Sequence, residues 1–132
     1  MGRFRFGDDA MLRAMPLLDQ RILVVEDDYL IAVALAELLE ESGAVVVGPF
    51  GGVTQAMAAI RDEATPLAAA VLDVDLRGET SYPVADALVA LGVKVVLTTG
   101  HDTSAIEPEY RHLPRCEKPV TMRSVVEALQ AG

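Results

Sequence analysis

The sequence has no tryptophan, three tyrosines, three phenylalanines and a single cysteine, Cys116. One cysteine excludes an internal disulfide and is typical of a protein in a reducing compartment. No apolar run reaches the roughly 18 residues that a membrane-spanning helix needs. No uninterrupted apolar stretch follows Arg3 and Arg5, so we predict no signal peptide. These absences predict a cytoplasmic protein that does not enter a membrane.

Basic residues are also scarce. The chain has 11 lysines and arginines against 20 acidic residues, for a net charge of −9, and its basic residues form no cluster. Direct nucleic-acid binding is therefore disfavoured, because phosphate contacts require a basic patch. The 132 residues suit one domain, and 52% are hydrophobic. A core of Ala, Val, Leu and Ile suits parallel strands covered by helices on both faces.

From Arg21 onward, short apolar segments alternate with segments of helical spacing. The predicted strands are RILVV, AVVVG, AAAVLD, VKVVLTT and RCE. Helices are predicted after the first three strands and at the C-terminus, whereas Pro108 makes the segment before the fifth strand irregular or a short helix. This alternation predicts a doubly wound α/β fold with a five-stranded parallel sheet.

Residues 1–20 lack this regular pattern. They are predicted to form a flexible N-terminal extension, and residues 21–132 to form the domain. The alternative is that the segment AMLRAMPLL docks on its own domain or on a neighbouring protein.

Acidic, hydroxyl and basic residues follow the predicted strands, where ligands bind in sheets of this kind. Each has an ordinary explanation by itself: Asp28 could cap a helix, for example. Their occurrence together favours a site. The residues at these strand ends include Glu26, Asp27, Asp73, Asp75, Thr99 and Lys118.

Gathered carboxylates repel one another, and a hard divalent cation such as Mg²⁺ or Ca²⁺ relieves that repulsion. Asp73 would then be a carboxylate nucleophile beside a metal, a hydroxyl and an ammonium group. That combination predicts a site that accepts a phosphoryl group.

The segments ILVVEDD, VLDVDL, VLTTGH and EKPV resemble the receiver domain of two-component response regulators. The segments VVGPFGGVTQAMAAI and LDVDLRGETSYPVADAL are similar to stand-alone receivers of alphaproteobacteria. The resemblance covers the chain from Arg21 onward. It implies a flavodoxin-like (βα)5 fold with strand order 2-1-3-4-5.

The resemblance also assigns roles at the site. It implies that Asp73 is the phosphoacceptor and that Mg²⁺ is bound by Asp27, Asp73 and the backbone carbonyl of Asp75. Glu26 would complete the acidic pair, acting more through water.

The resemblance further implies that Thr99 is the switch hydroxyl and that Lys118 binds the phosphoryl group, with a cis bond to Pro119. One position departs from the family pattern. Arg115 stands where many receivers have an aromatic residue that moves on phosphorylation.

As a receiver, the chain would accept a phosphoryl group from a histidine kinase or a phosphotransfer protein. Mg²⁺-dependent self-phosphorylation and autodephosphorylation are expected, rather than enzymatic turnover. We expect no output domain after the last predicted helix, and we therefore expect the signal to pass through protein–protein contact or a phosphorelay. We expect phosphorylation to remodel residues 102–114. The last helix and the N-terminal extension are candidate surfaces for a downstream protein or for a second copy of the chain.

Two alternatives stay open at this point. The segment LDVDLRGET also resembles the Asp-x-Asp motif of haloacid-dehalogenase-like phosphatases, although the metal-binding acids of that family follow the lysine. The second alternative is a pseudo-receiver that binds partners without being phosphorylated.

Overall fold

The structure is a computed structural model that describes residues 15–62, 66–100 and 106–131. Five parallel strands form one sheet in the order β2-β1-β3-β4-β5. They are β1 (Arg21–Val25), β2 (Val45–Phe50), β3 (Ala69–Asp73), β4 (Lys94–Thr99) and β5 (Arg115–Glu117). The predicted strand number, direction and order are therefore confirmed.

Four α-helices connect or follow the strands. They are α1 (Tyr29–Glu41), α2 (Val53–Asp62), α3 (Tyr82–Ala90) and α4 (Met122–Gln130). Within the described part of the segment between β4 and β5, the only helix is a short 3₁₀ helix, Pro108–Tyr110. The described residues therefore hold four α-helices rather than the five of an ideal (βα)5 fold. None of these helices is long and apolar enough to span a bilayer.

Alternating strand residues point to opposite faces of the sheet and build two separate cores. One core contains Leu23, Leu72 and Leu97 of the strands and packs against α2 and α3. The other contains Val24 and Val71 and packs against α1 and α4. The sheet is thus covered on both sides, as the apolar strands predict.

Local signals in the sequence explain where α1 begins and ends. Asp28 is its N-cap, and its carboxylate accepts hydrogen bonds from the N–H groups of Leu30 and Ile31 at 3.0 and 3.2 Å. At the other end, Gly43 has a φ of 97°, a left-handed conformation that favours glycine after a helix. These bounds place Glu26 and Asp27 in the short connection between β1 and α1.

The predicted end of the second strand is wrong. The strand predicted from the sequence is AVVVG, which ends at Gly48, yet β2 continues through Pro49 to Phe50. The proline is tolerated because β2 is an edge strand, where a missing N–H breaks no ladder of hydrogen bonds inside the sheet.

Residues 15–20 form a turn that packs on the domain. Leu17 is fully buried in the core beneath α1, and its N–H donates to the carbonyl of Ser42 at 2.8 Å. The N–H of Asp19 donates to the carbonyl of Gly43 at 2.9 Å. This part of the predicted extension therefore contacts the end of α1, and residues 1–14 lie outside the described residues.

Candidate phosphoryl-acceptor site

The carboxyl ends of the strands open into a cleft of about 590 Å³. All the residues predicted to form a site line it, together with several that were not predicted. The predicted residues are Glu26, Asp27, Asp73, Asp75, Thr99 and Lys118. The structure thus brings together residues from four separate segments of the chain.

Lys118 connects the two buried carboxylates of the cleft. Its Nζ lies 2.9 Å from Glu26 Oε1 and 2.9 Å from Asp73 Oδ2. Residues 73 and 118 are 45 positions apart in the chain, so the contact depends on the parallel packing of β3, β4 and β5. The ammonium group is therefore held directly beside the predicted phosphoacceptor.

The pKa values of Glu26 and Lys118 are both raised, for different reasons. Burial raises the pKa of Glu26 from 4.5 to about 7, although the hydrogen bonds from Lys118 and from the N–H of Asp28 oppose the rise. Burial lowers the pKa of Lys118, but its contacts with Asp73 and Glu26 outweigh this effect and leave the pKa raised. The lysine is thus held in its charged form by the two acids.

Backbone hydrogen bonds hold the loops of the cleft in place. The N–H of Asp75 donates to Asp73 Oδ1 at 3.3 Å, and the N–H of Lys118 donates to the carbonyl of Thr99 at 2.9 Å. Thr99 is buried at the end of β4. The Lys118–Pro119 peptide bond is cis, as the resemblance implied.

Three carboxylates of the cleft could hold a metal ion together. Each of Glu26, Asp27 and Asp73 offers an oxygen, and the three oxygens lie within 4.8 Å of one another. Carboxylate oxygens in a partly buried cluster are the ligands that Mg²⁺ prefers, and Mg²⁺ commonly binds through one or two carboxylates while keeping several waters. The donor set therefore fits the predicted metal.

Arg77, Tyr82 and Glu107 also line the cleft and were missed by the sequence analysis. Arg77 Nε donates to Asp27 Oδ2 at 3.1 Å across 50 positions of sequence. The signal that could have found this residue is Gly78, two residues after Leu76, because glycine is preferred at the second position of a two-residue hairpin turn.

The aromatic residues near the cleft lie in a different place from the family pattern. Arg115 begins β5, and its side chain donates to the carbonyl of Arg111. Tyr82 and Tyr110 stack instead, with ring centroids 4.0 Å apart and an interplanar angle of 7°. The hydroxyl of Tyr82 accepts a hydrogen bond from the N–H of Glu107 at 3.0 Å, which ties α3 to the described part of the segment before β5.

Solved structures show what the chain is similar to. SdrG from Sphingomonas melonis Fr1 is 40% identical, and the match covers 86% of this chain and 98% of SdrG with a TM-score of 0.74. The BeF3-activated conformation of SdrG from Pseudomonas melonis Fr1 is 41% identical, with 83% and 92% covered and a TM-score of 0.71. A response regulator receiver domain (CheY-like) from Methylobacillus flagellatus is 28% identical, with 85% and 97% covered and a TM-score of 0.69.

No protein-family model and no curated protein matches the sequence. The fold, the strand order and the identity to SdrG nevertheless define the class. The chain belongs to the CheY-like receiver domains of response regulators, the signalling proteins of two-component systems. The comparisons do not favour the haloacid-dehalogenase-like phosphatase alternative.

Proposed function

We propose that this receiver accepts a phosphoryl group on Asp73 and passes the signal on by protein contact or phosphorelay. The observation that carries the proposal is the position of Lys118 Nζ, 2.9 Å from both Asp73 and Glu26. This arrangement places a fixed positive charge next to a carboxylate at the end of a rigid, buried strand. The division into an extension over residues 1–20 and a receiver over residues 21–132 belongs to the proposal, as does the cytoplasmic location.

The chemistry follows from the residues around the cleft. An oxygen of Asp73 attacks the phosphorus of a phosphohistidine in line, forming a P–O bond as the P–N bond breaks. The electron pair of that bond leaves with the donor imidazole. Lys118 then binds an oxygen of the new acyl phosphate, and the hydroxyl of Thr99 binds another.

The metal site of this proposal consists of Asp27, Asp73 and the backbone carbonyl of Asp75, with Glu26 acting through water. Mg²⁺ bound there would neutralise negative charge on the transferring group and on the acids around it. Asp28 is not part of the site, because its carboxylate caps α1.

Incubation with acetyl phosphate and Mg²⁺, followed by intact-mass measurement, tests the proposal. We expect a single phosphoryl-sized mass increase in the wild-type chain and none in Asp73→Asn. Asp62→Asn, at the exposed end of α2, is the matched control and should keep the increase. A wild-type chain that gains no mass with any donor would favour the pseudo-receiver, and repeated turnover of a small phosphomonoester would favour a phosphatase.

An apolar groove beside the cleft suggests where a histidine kinase or a phosphotransfer protein docks. The groove has a volume of about 490 Å³ and lies between α1 and the connection from β5 to α4. Leu30 on α1 is 77% exposed, and Val120 lies on the opposite wall. Gly100 and Lys118 line both the groove and the cleft. A partner seated here would present its phosphohistidine toward Asp73.

A further inference from the structure

The chain after β3 makes a tight hairpin over residues 75–80 at the mouth of the cleft. The N–H of Leu76 donates to the carbonyl of Glu79 at 2.8 Å, and Arg77 and Gly78 form the turn between them. Their φ angles are 52° and 92°. Positive φ at both central residues is typical of two-residue hairpin turns, in which asparagine, aspartate and glycine are strongly preferred. An arginine at the first position is unusual because its side chain disfavours this conformation.

The hairpin is held on both sides, and this directs Arg77 toward the acids. On one side, Glu79 Oε1 accepts a hydrogen bond from the N–H of Val53, at the start of α2, at 3.2 Å. On the other side, Arg77 Nε lies 3.1 Å from Asp27 Oδ2. The side chain of Arg77 is 79% exposed and that of Asp27 is 17% exposed. The guanidinium group can therefore swing into solvent without disturbing the core.

The two basic residues that line the described part of the cleft have different positions. Lys118 lies deep, between Glu26 and Asp73, whereas Arg77 contacts the outer acid of the cluster. Asp27 is one of the three carboxylates whose oxygens lie within 4.8 Å of one another. Arg77 thus contacts one of the two oxygens of a carboxylate that a metal ion would need.

We propose that Arg77 is a built-in competitor of the divalent cation, so that Mg²⁺ must displace its guanidinium group from Asp27 in order to bind. This inference rests on the proposed function, because it concerns the same metal site. Arg77 is a positioning residue here: it acts on the metal through Asp27 and takes no part in phosphoryl transfer. Its effect is to make the metal affinity of the receiver lower than the three carboxylates alone would set.

A titration of the intact chain with MgCl₂ alone, without a phosphodonor, tests the inference. The dissociation constant is measured by calorimetry and by the amide NMR signals of Asp28 and Asp75. Arg77→Asn removes the charge, and asparagine tolerates the left-handed turn. We expect roughly two- to fivefold tighter Mg²⁺ binding, as the loss of one exposed ion pair would allow. Arg77→Lys keeps the charge, and its dissociation constant for Mg²⁺ should lie between those of the wild-type chain and Arg77→Asn.

Arg123→Gln is the matched control. Arg123 Nε also lies 3.1 Å from a carboxylate oxygen, that of Glu127, on the exposed side of α4. The Mg²⁺ affinity of the Arg123→Gln variant should equal that of the wild-type chain. Equal tightening in Arg123→Gln and Arg77→Asn would overturn the inference, because the effect would then come from net charge alone.

Unchanged or weaker Mg²⁺ binding in Arg77→Asn would also overturn the inference, and weaker binding would show that Arg77 mainly supports the hairpin. Neither result contradicts the proposed function, since the wild-type chain would still bind Mg²⁺. A wild-type chain that binds no Mg²⁺ would overturn both the inference and the metal site of the proposed function. The mass measurement on Asp73 would then show separately whether phosphorylation occurs.

Discussion

Replacing Lys118 with methionine tests the central contact of the cleft. Methionine keeps most of the apolar chain of the lysine but removes the ammonium group that lies 2.9 Å from both Glu26 and Asp73. The side chains of the two acids are only 1% and 8% exposed, so they would be left buried without their cation. We therefore expect Lys118→Met to be less stable than the wild-type chain in the absence of metal.

The size of this loss of stability follows from the burial of Lys118, Glu26 and Asp73. Removing one partner of a buried ion pair costs about 3–5 kcal/mol in the free energy of unfolding. Because the side chain of Lys118 is 18% exposed, we expect the lower end of this range. With an m-value of about 2 kcal/mol/M in urea, a loss of about 3 kcal/mol lowers the unfolding midpoint by roughly 1.5 M.

Urea unfolding in EDTA and in MgCl₂, followed by far-UV circular dichroism, measures the effect. Lys94→Met is the matched control, because Lys94 is half-buried at the other end of the sheet, where β4 begins. In MgCl₂ the difference between the unfolding midpoints of Lys118→Met and the wild-type chain should become smaller, since a bound cation also neutralises the two acids. Equal midpoints for Lys118→Met and Lys94→Met in EDTA would refute the reasoning.

Two further predictions concern the docking groove and the end of α1. Leu30→Ala should slow phosphoryl transfer from a phosphorylated histidine protein roughly five- to tenfold, since a central interface side chain contributes more than about 1 kcal/mol. It should leave acetyl phosphate labelling unchanged, and equal slowing by Leu91→Ala, at an exposed residue after α3, would contradict the groove. Gly92 has a φ of 77°, and no heavy atom lies within 4 Å of the Cβ that an alanine would add there. Gly92→Ala should therefore lower the free energy of unfolding by roughly 1 kcal/mol. Gly43→Ala should lower the free energy of unfolding by at least twice as much in the same urea assay, because the new Cβ would lie 2.7 Å from the Cα of Leu18. Equal losses of stability in the two variants would mean that the turn over residues 15–20 does not pack against Gly43.

Local patterns in the sequence were sufficient for much of the fold. Short apolar runs predicted the first four strands, and Asp28, named as a possible helix cap, does cap α1. The second strand was predicted too short, because the sequence does not show that β2 lies at the edge of the sheet, where Pro49 does little harm. The docking of Leu17 on its own domain was only the alternative prediction for residues 1–20, since its burial depends on a contact with the distant end of α1.

The order of residues is enough to specify which chemical groups stand at the carboxyl ends of the strands, because parallel strands bring those ends to one edge of the sheet. How these groups pair depends on the three-dimensional packing of the chain. Lys118 lies between Glu26 and Asp73, and Arg77 contacts Asp27 across 50 positions of sequence. Such pairs depend on distances of a few ångströms between residues remote in the chain, and no local pattern specifies those distances.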